Sequence, residues 1–316
     1  MSANFLIVGA TGNTGKPLVE KLSSLIQQSS TFSDHRILAL TRSRESPHAQ
    51  GLSKLPSVEV IEQNWVNVDA PWLVSHSITR VFIAPHIQPN AFAEESQFYV
   101  NCLRAGIKYL VRIGTMARNT HADAFAYHSR SHWALENLLS QPEFAAMQWT
   151  SLQPHGFYAM FLAPAVGFIR EYRKTGKQTG PLALMMTENG PFALLDASEV
   201  GVIAAHLLVK QDITRYNQAR LSVHGSRHVT GIEVVKLVEQ YIGEPVQKVI
   251  YKDLSKFDEM ADNSGWESKG LMLSIKEALT TAWEDEGTMA ITSKEVLEIM
   301  TPMMTPAEAM KAMLDE

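Results

Sequence analysis

Cysteine, basic clusters and long apolar runs are all scarce in this chain. The only cysteine among its 316 residues, Cys102, leaves no partner for an internal disulfide, which is typical of a reducing compartment. The net charge is −5 and no block of lysine and arginine occurs, so nothing attracts nucleic acid or an anionic membrane. The longest apolar run, residues 156–169, is interrupted by Pro164 and Gly167 and is shorter than the ~20 residues of a membrane span. We therefore expect neither nucleic acid nor a membrane as a partner.

The beginning of the chain also lacks the features of a secretion signal. MSAN runs directly into the apolar segment FLIVGA, with no basic region and no long apolar region before a cleavage site. Together with the single cysteine, this predicts a cytoplasmic protein. A G-x-S-x-G motif is absent as well, which argues against the common type of serine hydrolase.

Strand-like and helix-like patterns alternate through the first half of the chain. The apolar face of the first helical pattern is formed by Leu18, Val19, Leu22, Leu25 and Ile26. Such alternation predicts an α/β fold with a Rossmann-type, doubly wound parallel sheet that is covered by helices on both faces. The strand-like segments are NFLIVGA, RILALTR, VEVIEQNW, RVFIAPH, YLVRIGT and WTSLQPH.

The pattern changes after about residue 156. ALMMTENGPFALL predicts a hairpin around Asn189-Gly190, and DASEVGVIAAHLLV predicts the helix that follows it. Two further strands, ARLSVHG and VQKVIYK, flank the helical segment GIEVVKLVEQYI. We expect a first domain over residues 1–155 and a smaller α/β lobe over residues 156–316, partly interleaved with the first domain.

A glycine-rich segment, VGATGNTGK, connects the first strand to the first helix. Gly9, Gly12 and Gly15 let the backbone turn sharply and approach a pyrophosphate, while the N-terminus of the helix attracts its charge. Because the segment lies between a strand and an amphipathic helix, it predicts a dinucleotide-binding site; the alternative is a tight turn without a ligand.

The end of the second strand, ALTRSRE, predicts which dinucleotide binds. An acidic residue at this position would bind the 2′-hydroxyl of NAD, whereas a basic residue suits the 2′-phosphate of NADP. Arg42 is the candidate, with Ser43 or Arg44 as a second contact, so we expect NADP(H). An ordinary surface arginine at a strand end is the alternative.

These motifs together resemble the NmrA-like branch of atypical short-chain dehydrogenases, and the resemblance covers most of the chain. QPHGFYAMF is similar to the RPxxFMEN segment of that branch, and ALLDASEVGVIAAHLL is similar to its xxVDVxDIAxxAAxxL segment. The branch includes quinone oxidoreductases, triphenylmethane reductase, isoflavone-type reductases, ergot alkaloid reductases and NADP-sensing regulators. The resemblance implies a Rossmann domain with a small substrate-binding lobe.

Two residues depart from the pattern of this branch. Gln153 stands where an arginine is usual, which changes the charge near the expected pocket. Asn64 stands where an aspartate often follows the third strand, which bears on the contacts to the adenine.

The segment YHSRSHWALENLL at residues 127–139 corresponds by resemblance to the active-site helix. The Tyr-x-x-x-Lys pair of short-chain dehydrogenases is absent, since none of the eight tyrosines has a lysine four residues later. NmrA-like reductases often carry SKxxxEexl in this helix, and Ser131, His132 and Glu136 match that pattern with histidine in place of lysine. An imidazole there could hold the nicotinamide ribose or donate a proton near neutral pH; the alternative is a histidine without a catalytic role.

His128 lies one turn before His132, so a pair of metal ligands is geometrically possible. No H-E-x-x-H motif, cysteine ligand or third ligand supports it, and we expect no metal. The motifs and the resemblance instead assign a cofactor site to Gly9, Thr11, Gly12, Asn13, Thr14, Gly15, Arg42, Asn64, Pro85, Thr115, His132, Pro154 and Phe157.

The substrate is expected in the crevice beyond the carboxyl ends of the strands. There the sequence places an aromatic cluster suited to a flat, conjugated compound, although Phe157 and Phe161 could simply pack a helix against the core. The expected pocket residues are His86, Met116, His155, Tyr158 and Phe161.

The sequence thus predicts an NADPH-dependent oxidoreductase that reduces a quinone, enone or iminium compound. His132 or Tyr158 would be the catalytic proton donor or the orienting group. Two alternatives stay open, namely a non-enzymatic NADP-binding sensor that acts through a protein partner and a non-redox isomerase or cyclase.

Overall fold

A computed structural model of the chain describes residues 3–283 and 291–315. The strands in these ranges are β1 Asn4–Val8, β2 Ile37–Thr41, β3 Val58–Glu62, β4 Ile78–Ile83, β5 Tyr109–Ile113, β6 Gln148–Pro154, β7 Gly156–Phe157, β8 Leu182–Ala183, β9 Phe192–Leu195, β10 Ala219–Val223, β11 His228–Val229 and β12 Val249–Ile250. The helices are α1 Gly15–Gln27, α2 Pro47–Leu52, α3 Ala70–Ser75, α4 Ala91–Arg104, α5 Tyr127–Leu139, α6 Tyr158–Phe161, α7 Ala163–Thr175, α8 Ala197–Leu208, α9 Gly231–Ile242, α10 Ser255–Asn263, α11 Trp266–Trp283, α12 Lys294–Leu297 and α13 Pro306–Asp315.

A seven-stranded sheet in the order β10-β6-β5-β4-β1-β2-β3 forms the larger part of the molecule. All of its strand pairs are parallel. The chain proceeds from β1 towards β3 on one side and from β4 towards β6 on the other, so the strand order reverses beside β1. The predicted doubly wound fold is confirmed, and the reversal opens a crevice at the carboxyl ends of β1 and β4.

Helices cover both faces of this sheet. The predicted apolar face of α1 is confirmed, since Leu18 and Leu22 are fully buried and pack with Val200 and Ile203 of α8 in one core layer. The opposite layer contains apolar side chains of α3, α4 and α5, including the buried Cys102. No helix in the two described ranges is both long and apolar enough to cross a membrane.

A second, smaller group of elements forms two short sheets, β11-β9-β7 and β12-β8. Their core includes Ile169 of α7, Val234 and Val238 of α9, and Met310 of α13. The chain returns to the large sheet between these elements, because α8 packs on α1 and β10 pairs with β6. The division at residues 155 and 156 remains a prediction.

Two strand assignments in the second half were wrong. The expected hairpin around Asn189-Gly190 does not form, because β8 pairs with β12 whereas β9 pairs with β7 and β11. The segment ARLSVHG, which we assigned to the smaller lobe, forms β10 at the edge of the large sheet. Its Leu221 and Val223 side chains are buried in the core that α1 and α8 share. Both errors concern which strands pair, and the pattern of a single strand does not identify a partner that is distant in the chain.

A glycine sets the distance between α1 and α8. A Cβ atom on Gly201 would overlap the backbone carbonyl oxygen of Thr14, next to the glycine-rich loop, so α8 can approach this closely only without a side chain there. Gly167 in α7, by contrast, has nothing within 4 Å of its Cβ position.

We predict that Gly201→Ala destabilises the protein and that Gly167→Ala does not. Overpacking typically costs about 1 to 3 kcal/mol, whereas alanine at an open helical position favours the helix by up to ~1 kcal/mol. Urea unfolding of both variants measures the difference. An equal change in the free energy of unfolding for the two variants would contradict the close approach of α8 to α1.

Candidate active site in the interdomain crevice

The glycine-rich loop lies at the start of α1 and adopts a conformation that requires glycine. Gly9 has a φ of +80°, and a Cβ atom on it would lie 2.8 Å from the carbonyl oxygen of Ala84. A Cβ atom on Gly15 would overlap the carbonyl group of Gly9. The first turn of α1 carries no acidic residue. The N-terminus of this helix therefore offers backbone donors and a favourable dipole to an anion.

A cavity of about 1170 Å³ extends along the carboxyl ends of the strands from this loop. It reaches β2 and β3 at one end and α5 and α11 at the other. Every residue that the sequence assigned to the cofactor lies in its wall, namely Gly9, Thr11, Gly12, Asn13, Thr14, Gly15, Arg42, Asn64, Pro85, Thr115, His132, Pro154 and Phe157. The structure thus brings these positions together, while their contacts with a cofactor remain predictions.

Arg42 follows β2 and is exposed at the outer end of the cavity. Glu62, at the end of β3, lies in the same part of the wall and accepts a hydrogen bond of 2.9 Å from the backbone N–H of Arg44. The sequence analysis missed this carboxylate. Asn64 caps a short 3₁₀ turn, with its Oδ1 atom accepting from the backbone N–H of Val66 at 3.2 Å.

His132 lies on the inner side of α5 and lines the cavity, with 8% of its surface exposed. Its Nδ1 atom is 2.8 Å from the Nη2 atom of Arg112 on β5. Burial lowers the pKa of His132 well below its ordinary value, and the neighbouring His128 and Arg112 lower it further. A ring held neutral in this way does not donate a proton as an imidazolium near neutral pH, and its role as a hydrogen-bonding group towards a ligand remains a prediction.

His128 lies against His132, with the two ring centroids 4.6 Å apart in an edge-to-face arrangement. Burial and the charge of Arg112 lower the pKa of His128 to about 4. Within residues 3–283 and 291–315, no group of three or more histidine, cysteine, aspartate or glutamate side chains is arranged to hold a metal ion.

Tyr158 does not lie where the sequence analysis placed it. Its side chain is only 1% exposed, packs in the core of the smaller lobe, and donates a hydrogen bond of 3.1 Å to the carbonyl oxygen of Met304. Burial raises the pKa of this tyrosine. Tyr158 is absent from the cavity wall, so the structure does not bring it together with the other predicted pocket residues, and its catalytic role remains an untested prediction.

The other four predicted pocket residues, His86, Met116, His155 and Phe161, do line the cavity. The Nε2 atom of His86 is 2.8 Å from a carboxylate oxygen of Glu94 on α4. The ring of His155 contacts His224, with centroids 5.2 Å apart, and its Nδ1 atom is buried without a hydrogen-bond partner among the described residues.

One face of α11 closes the cavity beyond α5, a position that no sequence motif indicated. Three hydrogen bonds join the helix to Asn119 and His128. Asn119 donates to the carbonyl oxygen of Ala278 at 3.1 Å and accepts from the Thr281 hydroxyl at 2.7 Å. The Ser274 hydroxyl accepts from the backbone N–H of His128 at 3.3 Å. The helical spacing of its apolar residues could have indicated a buried face, but not what it covers. The lining residues on this face are Leu271, Ile275, Ala278 and Leu279.

The inner end of the cavity is mainly apolar and aromatic. Arg42, at the outer end, is the single lysine or arginine among the described residues of the wall. Glu95 is 1% exposed and forms an ion pair of 3.0 Å with Arg112. A carboxylate or phosphate near His132 would therefore find no cationic side chain in the described wall to balance its charge.

Comparisons with known proteins support the fold. No family model matches the chain, and no curated protein matches it. An NADPH-dependent quinone oxidoreductase from Escherichia coli, complexed with NADPH, is 16% identical over 98% of this chain and 99% of that chain, with a TM-score of 0.70. Triphenylmethane reductase from Citrobacter sp., complexed with NADP(H), gives the same identity, coverage and TM-score.

A third similar structure belongs to a protein of another functional class. NmrA, a negative transcriptional regulator in complex with NADP, is 14% identical over 100% of this chain and 96% of that chain, with a TM-score of 0.70. At these identities the likeness shows a shared fold across almost the whole chain, in agreement with the NmrA-like resemblance of the sequence motifs. It does not extend to activity.

The buried histidines predict that stability depends on pH. Burial lowers the pKa of His155 to about 3, with a further contribution from His224, and burial lowers the pKa of His224 to about 4. Since an unfolded histidine titrates near ~6.5, the unfolded chain binds protons first as the pH falls. The contribution of these histidines to the free energy of unfolding is therefore retained above about pH 6.5 and lost below it. Between pH 7 and pH 5 the loss is roughly 2 kcal/mol per buried histidine.

Urea unfolding at pH 7 and pH 5 measures this loss. We expect His155→Gln to reduce the difference in unfolding free energy between pH 7 and pH 5 by about 2 kcal/mol. The matched control is His48→Gln, which changes an exposed histidine at the protein surface and should leave the difference unchanged. An unfolding free energy that is the same at both pH values in the parent protein would contradict the prediction.

Proposed function

We propose that this chain is an NmrA-like, NADP(H)-binding reductase of a small, neutral, conjugated or aromatic compound. The observation that carries the proposal is the single continuous cavity between the glycine-rich loop and the apolar end beside His132 and α11. A dinucleotide bound along the strand ends would place one end at Arg42 and the other towards His132. The similar structures with NADPH or NADP bound support this choice of cofactor.

The residues of the cofactor part of the cavity fit a dinucleotide phosphate. The loop at Gly9, Gly12 and Gly15 and the start of α1 would hold the pyrophosphate, because backbone N–H groups and the helix dipole converge there. Arg42 would hold the 2′-phosphate. The cofactor, when bound, supplies the hydride, and the protein supplies binding and orientation.

The inner part of the cavity determines which substrate fits. Its aromatic and aliphatic wall favours a flat apolar compound, and an anionic compound is disfavoured because the described residues of this part include no lysine or arginine. The neutral His132 ring would donate a hydrogen bond to a ribose hydroxyl or to a substrate oxygen. Leu271 and Ile275 of α11 lie over this region and would exclude water from the bound substrate.

A non-enzymatic NADP sensor is the second candidate. Two observations favour it, namely the absence of a Tyr-x-x-x-Lys pair and the neutral state of His132, which removes the imidazolium as a proton donor. The similar fold of NmrA, which is described as a negative transcriptional regulator, also supports the sensor. A non-redox isomerase or cyclase would use the same cavity without net transfer of hydride.

Arg42→Ala tests the choice of cofactor. The loss of a charged hydrogen bond worth roughly 1.5 to 3 kcal/mol should weaken NADPH binding about 10- to 100-fold, while NADH binding hardly changes. Titration of cofactor fluorescence measures both affinities. Arg36→Ala is the control, since Arg36 pairs with Glu59 at 2.7 Å and does not line the cavity. Equal losses for both cofactors, or tighter binding of NADH by the parent protein, would contradict the assignment.

Oxidation of NADPH in the presence of a panel of quinones, enones and iminium compounds tests the reaction. With the first acceptor that reacts, we expect His132→Ala to slow single-turnover hydride transfer about 3- to 10-fold, as for the loss of one neutral hydrogen bond of about 1 kcal/mol. A loss of ~10² to 10⁴-fold would instead indicate general acid catalysis.

The same measurements distinguish the alternatives. A rate within twofold of the parent for folded, NADPH-binding His132→Ala would remove His132 from the reaction. No oxidation of NADPH by any acceptor, together with NADP-dependent capture of a purified protein partner, would favour the sensor.

A further inference from the structure

The guanidinium group of Arg112 is the centre of a buried polar cluster beneath the cavity. Arg112 lies on β5, has no exposed surface, and is surrounded by side chains of α4, α5 and β6. Burial alone would lower its pKa, but the interactions with Tyr99, Glu95 and Glu136 outweigh burial and raise it. The group is therefore a permanent cation inside the molecule.

The donors of Arg112 all find partners in this cluster. Nε is 2.8 Å from the Tyr99 hydroxyl and 3.2 Å from Oε1 of Glu95. Nη1 is 3.2 Å from the Ser151 hydroxyl and 3.5 Å from Oε1 of Glu136. Nη2 is 3.0 Å from Oε1 of Glu95 and 2.8 Å from Nδ1 of His132.

The last of these contacts determines the state of His132. A guanidinium group has only donors, so Nδ1 must use its lone pair to accept, and the single proton of the neutral ring must be on Nε2. A second proton on Nδ1 would face an N–H group of Arg112 at hydrogen-bond distance. The ring can therefore accept a proton on Nδ1 only if it breaks this contact.

Charged and titratable groups face His132 from three sides. Arg112 approaches from β5, His128 and Glu136 lie on α5 itself, and Glu95 and Tyr99 are on α4. Both carboxylates are engaged by arginines, because Glu95 pairs with Arg112 and Glu136 accepts from Arg220 at 2.9 Å as well as from Arg112. As long as Arg112 is in place, neither carboxylate is free to stabilise an imidazolium.

We propose that Arg112 is a positioning residue that holds His132 as a neutral ring with its proton on Nε2, so that His132 offers the cavity only a hydrogen-bond donor. The chemical group that it recognises is an acceptor oxygen, such as a hydroxyl or a carbonyl, and a ligand N–H group at the same place would be disfavoured. This inference rests on the proposed function only in assuming that His132 contacts a bound ligand. It does not require that the protein turns over a substrate.

Nitrogen NMR of the ¹⁵N-histidine-labelled parent protein tests the tautomer directly. The His132 signals are assigned by their loss in His132→Ala. We expect Nδ1 to have the shift of an unprotonated, hydrogen-bonded nitrogen and Nε2 that of a protonated one, with no change between pH 5 and pH 9. A proton on Nδ1, or titration of the ring within that range, would overturn the proposal whether or not the protein reduces any substrate.

Two arginine variants separate positioning from general support of the fold. Both Arg112 and Arg220 bind Glu136, but only Arg112 contacts His132. In Arg112→Met, the donor to Nδ1 is gone and the carboxylate of Glu95 is unpaired beside the ring, so His132 should begin to titrate with a midpoint between about pH 5 and pH 8. In Arg220→Met, the ring should stay neutral throughout.

Circular dichroism and the remaining histidine signals report whether each variant is folded. A neutral, non-titrating His132 in folded Arg112→Met, or the same titration in both variants, would overturn the role assigned to Arg112. If Arg112→Met does not fold, the tautomer and the pH dependence of the parent protein still decide the proposal. Because none of these measurements uses an acceptor substrate, their failure is distinct from failure of the reductase assignment.

Discussion

A buried cation must be balanced by buried acceptors. In this protein the buried cation is Arg112, and together with its acceptors it joins four elements of the fold. It lies on β5 in the middle of the large sheet, and its partners are on α4, α5 and β6. A buried pair that loses one partner typically costs about 3 to 5 kcal/mol, because the remaining charge stays without compensation. The cluster thus fixes how α4 and α5 pack on the sheet, and with them one wall of the cavity.

The same cluster makes the inner end of the cavity a neutral environment. The positive charge of Arg112 is satisfied by Glu95 and Glu136, and the two histidines on α5 are uncharged near pH 7 because burial lowers their pKa values. Gln153, at the position where NmrA-like proteins usually have arginine, donates to Glu136 at 3.1 Å. This difference from the NmrA-like pattern that the sequence resembles falls within the cluster, where Arg112 and Arg220 provide the positive charge.

A neutral site has consequences for the chemistry that it can support. Hydride transfer itself needs a correctly placed donor and acceptor, which a rigid apolar cavity provides. An acceptor that also needs a proton would not obtain it from His132, which is neutral, or from Tyr158, whose hydroxyl is directed towards Met304. The cavity is accordingly better suited to orienting a reactive pair than to acid catalysis.

The parts of the structure that sequence reasoning predicted well are local ones. The glycine spacing, the buried strand segments and the apolar face of α1 each depend on a few neighbouring residues, and all of them are found as expected. Predictions about contacts between segments that are distant in the chain failed more often. The predicted hairpin at Asn189-Gly190 and the predicted place of β10 were wrong, because local sequence patterns do not show which strands pair when the strands are distant in the chain.

By itself, the sequence determined the α/β class, the glycine-rich loop at the start of α1 and the position of Arg42 after β2, because periodicity and the backbone freedom of glycine act over short distances. Only the tertiary structure decided the state of the candidate site. It turned Tyr158 into the core, placed α11 over the cavity, and set Arg112 against Nδ1 of His132 across 20 residues of sequence. Burial, ion pairing and the direction of a hydrogen bond depend on atoms that come together only when the chain is folded, and these decide whether a histidine carries a charge.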